Sequence, residues 1–126
     1  MGQPVTRIDA SASNLVTFIN IFAVPPGESE WFLRQWEDNA REMATQPGFI
    51  RARLYHSLTD NPEQKFINLA EWDSREALDQ AMANPVGAEI RRALDDHHVI
   101  TQPAVYQIAL DVPPATAHDA AAGRAS

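Results

Sequence analysis

The chain has 126 residues, 44% of them hydrophobic, with 17 acidic side chains against 10 basic ones and a formal net charge of −7. That length and apolar share predict a single folded domain, and the acidic balance without a basic patch argues against nucleic-acid binding. No cysteine is present, which excludes disulfides, thiolate nucleophiles, Cys-type zinc sites and iron–sulfur clusters.

Residues 1–13 are small and polar, and 113–126 are dominated by Ala, Pro and Ser; both are expected to be flexible or disordered tails. The domain is therefore placed at 14–112. No apolar run is long enough to cross a bilayer, and the start shows no signal peptide, so a cytoplasmic protein with no membrane partner is expected. Met1-Gly2 with Thr6 fits a loose myristoylation pattern, but Pro4 and the lack of a second membrane signal argue against it.

Leu15 to Val24 is rich in β-branched and aromatic residues and stops at Pro25-Pro26-Gly27, the signature of a strand. A helix follows from about Glu28 to Thr45, with Phe32, Trp36, Ala40 and Met43 on one stripe, and Gln46-Pro47-Gly48-Phe49 ends it. Ile50 to Leu58 alternates as a second strand. Thr59-Asp60-Asn61-Pro62 turns the chain, and Lys65 to Trp72 returns antiparallel as the third. Asp73-Ser74-Arg75-Glu76 offers a capping box with Asp73 as N-cap, opening a helix that buries Ala77, Leu78, Ala81 and Met82. Asn84-Pro85 restarts the helix as N-cap and first turn, with Ile90, Ala93 and Leu94 inward. Val99 to Val112 is the last strand, and Pro103 within it points to a sheet edge.

This β-α-β-β-α-β order is α+β and folds most economically as a ferredoxin-like sheet with the helices on one face. It is expected to make the first and third strands adjacent, parallel and central. In the first strand Val16, Phe18, Asn20, Phe22 and Val24 share one face, and Leu15, Thr17, Ile19, Ile21 and Ala23 the other. Both sets are largely apolar. A lone domain of this size cannot cover both, so a homodimer packed sheet to sheet, a dimeric α+β barrel, is expected.

Phe66, Asn68, Ala70 and Trp72 share a face of the third strand. If it is the face carrying Phe18, Asn20 and Phe22, two amides and an indole meet inside an aromatic wall. A buried amide without a partner costs about 1–3 kcal/mol. The amides then either bond each other or the backbone and pin the sheet, or they meet a ligand. Trp36 would complete the aromatic wall. His56, the one histidine within a predicted strand, is either a proton acceptor or a hydrogen-bonded structural residue. His97-His98 stands beside Asp95 and Asp96, but neighbouring helical residues diverge by about 100° and one ion is not expected to take both. His118 lies in the tail. No metal is expected.

The segment Phe66-Ile67-Asn68-Leu69-Ala70-Glu71-Trp72, continued by Asp73-Ser74-Arg75-Glu76-Ala77-Leu78, resembles the antibiotic biosynthesis monooxygenase superfamily, as does Gln46-Pro47-Gly48-Phe49. The resemblance covers about residues 14–112 and implies a dimeric α+β barrel. Asn68 four residues before Trp72, with Asn20 in the first strand, is similar to the cofactor-independent oxygenases that turn anthrones or naphthacenones into quinones. The resemblance implies catalytic roles for Asn20, Asn68 and Trp72, no cofactor, and a polycyclic aromatic polyketide with O2 as partners. Phe18, Phe22, Trp36 and Phe66 would hold such a flat guest. Some members carry a tyrosine six residues after the tryptophan, where this chain has Leu78. They also place an arginine on the last helix; Arg92 is the nearest match and Arg91 the alternative.

Haem-degrading relatives pair the first-strand asparagine with a helical tryptophan and an iron-ligating histidine. Ala77–Ala83 and Ile90–Arg92 offer neither, so that alternative lacks its axial ligand. A non-catalytic small-molecule-binding or stress-related barrel is the other alternative. Isolated glycines argue against phosphate loops, and no Gly-x-Ser-x-Gly elbow is present.

Overall fold

The computed structural model describes residues 6–7, 14–59 and 66–115. In chain order the elements are β1 (Thr6–Arg7), β2 (Val16–Ala23), α1 (Ser29–Met43), β3 (Phe49–His56), β4 (Phe66–Trp72), α2 (Arg75–Met82), α3 (Pro85–Asp96), β5 (Ile100–Tyr106) and β6 (Leu110–Asp111). They divide between two compact units. One, Asn14–Tyr106, holds the four-stranded sheet and the helices; the other is formed by the chain ends, where β1 pairs antiparallel with β6. The run read as one strand over Val99–Val112 is thus two: β5 ends at Tyr106, and Leu110–Asp111 finds its ladder with Thr6–Arg7. The center of the turn read at Thr59–Pro62, together with Lys65 and His118, lies outside the described residues.

The larger sheet has the order β3-β4-β2-β5, and every neighbouring pair is antiparallel. This is the expected α+β, ferredoxin-like arrangement, with one correction. The two central strands, β2 and β4, run antiparallel, not parallel. The crossover through α1 brings β3 back parallel to β2 but one strand-width away, and β4 fills the gap by turning back from β3.

Local chemistry sets the joints. Gly48 takes φ +87°, and a Cβ there would fall 2.5 Å from Ala77 Cβ and 2.6 Å from Asp73 Oδ1. Its carbonyl accepts from the Asp73 N–H at 2.8 Å. The Asp73 carboxylate lies against Gly48, and Ser74 is the N-cap, with its hydroxyl accepting from Ala77 N–H at 3.0 Å. The capping box read at Asp73 is not formed: counted from Ser74 the third helical position is Ala77, so the serine hydroxyl caps alone. Asn84 caps α3 as expected, accepting from Val86 N–H, with Pro85 at the first helical position. At the other end of α3, Val99 N–H donates to Leu94 and His98 N–H to Asp95, with His98 at φ +59°. That is a Schellman stop in which a histidine occupies the usual glycine position.

All three helices cover the same sheet face, in two apolar clusters. Phe22, Val24 and Phe66 pack with Phe32 of α1 and Leu94 of α3 at one end; Val16, Ala70 and Trp72 pack with Leu78 and Ala81 of α2 at the other. On the opposite face Ile19, Ile21, Ile67 and Leu69 are half-buried, beside exposed Tyr55 and Tyr106. Among the described residues no helix is long and apolar enough to cross a membrane.

Candidate active site

Between the two clusters the sheet carries a row that is not apolar. Asn20 of β2 lies directly opposite Asn68 of β4, and Leu54 and Pro103 continue the row on the outer strands. Cross-strand partners share a face and stand about 5 Å apart at Cβ, so the two amides are neighbours by construction. Among the described residues Asn68 is the polar side chain buried with the core, 8% exposed.

Both amides have their orientation set by groups that can only donate. The indole N–H of Trp36 donates to Asn68 Oδ1 at 3.0 Å. The backbone N–H of Gln102 donates to Asn20 Oδ1 at 3.0 Å, next to Pro103, which brings no N–H to the ladder. Neither an indole N–H nor a peptide N–H accepts, so each asparagine must present its oxygen to that partner and its amino group elsewhere. Among the described residues neither amino group has an acceptor. Two pre-aimed N–H donors on one cavity wall are the elements of an anion-stabilising site.

The space they serve is a cavity of about 510 Å3 between the sheet and the helices. Its lining includes Phe18, Asn20, Phe22, Trp36, Asn68 and Trp72, six of the residues singled out in the sequence. Trp72 is 2% exposed and meets Phe49 edge to face at 5.3 Å, which holds its ring as a fixed wall. Arg92 lines the cavity, and so does Arg91; both arginines project from α3 with exposed side chains, beside Asp95. Phe66 and His56 stand outside this lining. They stack on each other at 5.0 Å and 18°, Phe66 within the core and His56 exposed at the edge strand.

The paired histidines after α3 serve different ends. His97 stacks on Trp31 with centroids 3.6 Å apart and its Nδ1 lies 3.1 Å from Glu28 Oε2, whereas His98 forms the turn. Among the described residues no group of three or more metal-ligating side chains is gathered at one place.

Sequence reasoning missed two features. Trp36 was read as wall, but its indole is the hydrogen-bond partner of Asn68, a contact 32 residues apart that no local pattern encodes. Asn39 also lines the cavity, from the stripe of α1 that carries Trp36 and Met43. A polar residue at that helical spacing was the available signal.

Residues 15–97 match the family model described as antibiotic biosynthesis monooxygenase. The chain belongs to that family. Asn20, Trp36, Asn68, Trp72 and Arg92 all fall within the matched stretch. Deoxynogalonate monooxygenase of Streptomyces nogalater is 33% identical over 81 residues, which span 64% of this chain and 66% of that relative. The crystal structure of SnoaB, a cofactor-independent oxygenase from the same organism, aligns with a TM-score of 0.70 at 26% identity, covering 81% of this chain and 100% of SnoaB. A crystal structure from Shewanella loihica PV-4 aligns with a TM-score of 0.62 at 32% identity, covering 76% of this chain and 95% of its own. The stretch matched to the antibiotic biosynthesis monooxygenase family contains β2, β3, β4 and the helices α1, α2 and α3.

Proposed function

We propose that this protein is a cofactor-independent monooxygenase that oxidises a polycyclic aromatic polyketide of the anthrone or naphthacenone type to a quinone. The observation that carries this reading is the Asn20–Asn68 pair, with both oxygens engaged by obligate donors and both amino groups left for a guest. A phenolic anthrone loses a proton from its methylene to give a delocalised carbanion. Amide N–H groups at the enolate oxygen lower the cost of that charge. The carbanion passes one electron to O2, the radical pair combines, and the resulting peroxide loses water to leave a carbonyl. One CH2 and one O2 become one C=O and one H2O, so the substrate supplies every electron. Trp72, Phe18 and Phe22 would hold the ring plane and keep water from the radical pair. Because His56 is not part of the cavity lining, the proton acceptor in this reading is water.

The same reading makes the protein a homodimer. The sheet face opposite the helices presents Ile19, Ile21, Ile67, Leu69, Tyr55 and Tyr106 together, and a second copy would bury them.

The test is aerobic incubation of the purified protein with dithranol in EDTA and without flavin, following quinone absorbance and oxygen uptake. One O2 consumed per quinone formed is expected. Turnover abolished by EDTA and restored by iron or copper would defeat the mechanism.

A further inference from the structure

The cavity approaches the surface at both edges of the larger sheet, and the two ends are built differently. At the β5 edge the lining is exposed: Thr101 and Pro103 of β5 and Arg91, Arg92 and Asp95 of α3 form an open mouth. At the β3 edge a separate open groove runs between α1 and β3, lined among others by Leu33, Trp36, Ala52 and Leu54. Trp36 and Ala52 belong to both linings, so the indole and the alanine methyl are the partition between groove and cavity. Ala52 lies opposite Ala70 of β4, and the floor beneath the indole is two methyl groups. Both Trp36 and Ala52 keep part of their surface accessible. The indole N–H bond to Asn68 holds the partition closed. That bond is single and the ring only half-buried, so side-chain rotation opens the gap without moving the backbone.

A guest seated in a pocket of this kind loses about 70–90% of its surface to the walls, so it closes the mouth it came through. A carbanion formed there must still meet its second reactant. We infer that O2 enters from the opposite edge of the sheet, through the gap between Trp36 and Ala52, with the indole as its door. The inference rests on the proposed oxygenase reading for the identity of that reactant. The gap suits an apolar diatomic, because ring and methyl surfaces ask for no hydrogen bond and offer none to hold water. It also opens beside Asn68, the amide to which the indole is tied. The two reactants then use different doors, and the first to bind does not block the second.

The experiment has one arm without turnover and one with it. Dissolved O2 is paramagnetic and broadens the methyl signals it approaches. Methyl spectra of the full-length protein are recorded under nitrogen and under pressurised oxygen, free and saturated with anthraquinone, a flat ligand that does not react. Thr101 reports the mouth, and Ala70, buried on the cavity wall and absent from the groove lining, reports the space inside the door. With anthraquinone bound, the oxygen effect is expected to vanish at Thr101 and persist at Ala70. Its loss at both would overturn the inference. Leu33 is exposed, lines the groove but not the cavity, and precedes Trp36 by one helical turn, so Leu33→Trp covers the door from outside. In that variant the Ala70 effect should disappear once anthraquinone is bound. In the second arm, kcat/KM for O2 at saturating dithranol should fall about fivefold, with kcat at high oxygen unchanged. Ala52→Leu, which fills the gap from its floor, should likewise remove the Ala70 effect, and it decides the matter if melting curves show Leu33→Trp to be misfolded. Dithranol oxidation with wild-type oxygen dependence in both variants would overturn the door alone. An Ala70 effect that both variants remove, with no oxidation of dithranol, would support the passage and overturn the oxygenase reading. Failure of anthraquinone and dithranol alike to perturb Thr101 would overturn both.

Discussion

The indole N–H of Trp36 on α1 donates to Oδ1 of Asn68 on β4 at 3.0 Å, tying a helix to the centre of the sheet through the amide that faces the cavity. The bond makes the indole a positioning group for the amide. Removing the amide and removing its anchor should therefore differ in degree. Asn68→Ala is expected to lower kcat for dithranol by about 10²–10³, the usual effect of losing a charge-directed donor in a dry site. Trp36→Phe keeps the ring and leaves the amide free to turn, so a smaller loss on the order of tenfold is expected. Stopped-flow kinetics on both variants check the ranking, and a Trp36→Phe loss as large as that of Asn68→Ala would show that the indole acts directly.

Asn20 serves two masters, and a single atom change separates them. Its oxygen accepts from Gln102 N–H beside Pro103, while its amino group is left for the cavity. Asn20→Asp keeps the acceptor and replaces the donor with a charged oxygen. Turnover is expected to collapse while the melting temperature stays near that of the wild type. Asn20→Ala loses both functions and should also cost about 1 kcal/mol of stability, measurable by urea denaturation.

His56 stacks on Phe66 at 5.0 Å and is exposed, outside the cavity lining. His56→Phe preserves an aromatic stack at that place and removes the imidazole. The expected result is unchanged kcat with an unchanged pH profile. A loss of turnover with a displaced acid limb would instead make His56 the proton acceptor.

Two backbone positions with positive φ should respond in opposite directions. Gly48→Ala places a Cβ 2.5 Å from that of Ala77 and forces a side chain into the left-handed region, so a loss of 2 kcal/mol or more is expected, that is, roughly the steric strain and the displaced contact together. His98 already bears that left-handed cost at φ +59°, and His98→Gly is expected to raise stability by about 1 kcal/mol. Thermal melts of the two variants report both shifts.

The assembly reading predicts a dimer at micromolar concentration in sedimentation velocity. Leu69 lies at the middle of the outer face, opposite Ile19 on one side and Arg53 on the other. Leu69→Lys puts a charge there and is expected to yield monomer or a strongly concentration-dependent equilibrium. A wild-type protein that sediments as a compact monomer would remove the dimer from the proposal.

The periodicities of the chain were enough to place the helices and the strands of the larger sheet, because burial on one face of a pleat or a helix writes itself into alternation or a stripe; the short β1–β6 pair leaves no such pattern. Asn20 and Asn68 were legible for the same reason: each interrupts an apolar set at the period of a strand. The cap falls on Ser74 and not on Asp73, whose carboxylate lies against Gly48 of a turn distant in sequence. The direction of β4 relative to β2 depended on which gap the chain fills after its crossover, a matter of topology that no window of residues contains. The register that sets Asn20 against Asn68, the indole that orients one amide and the peptide that orients the other join residues up to 82 positions apart. Sequence alone picked out Asn20 and Asn68 as the polar breaks in apolar strand faces. Only the tertiary structure decided which atom of each amide points at the guest, because that choice belongs to the donor on the far side of the hydrogen bond.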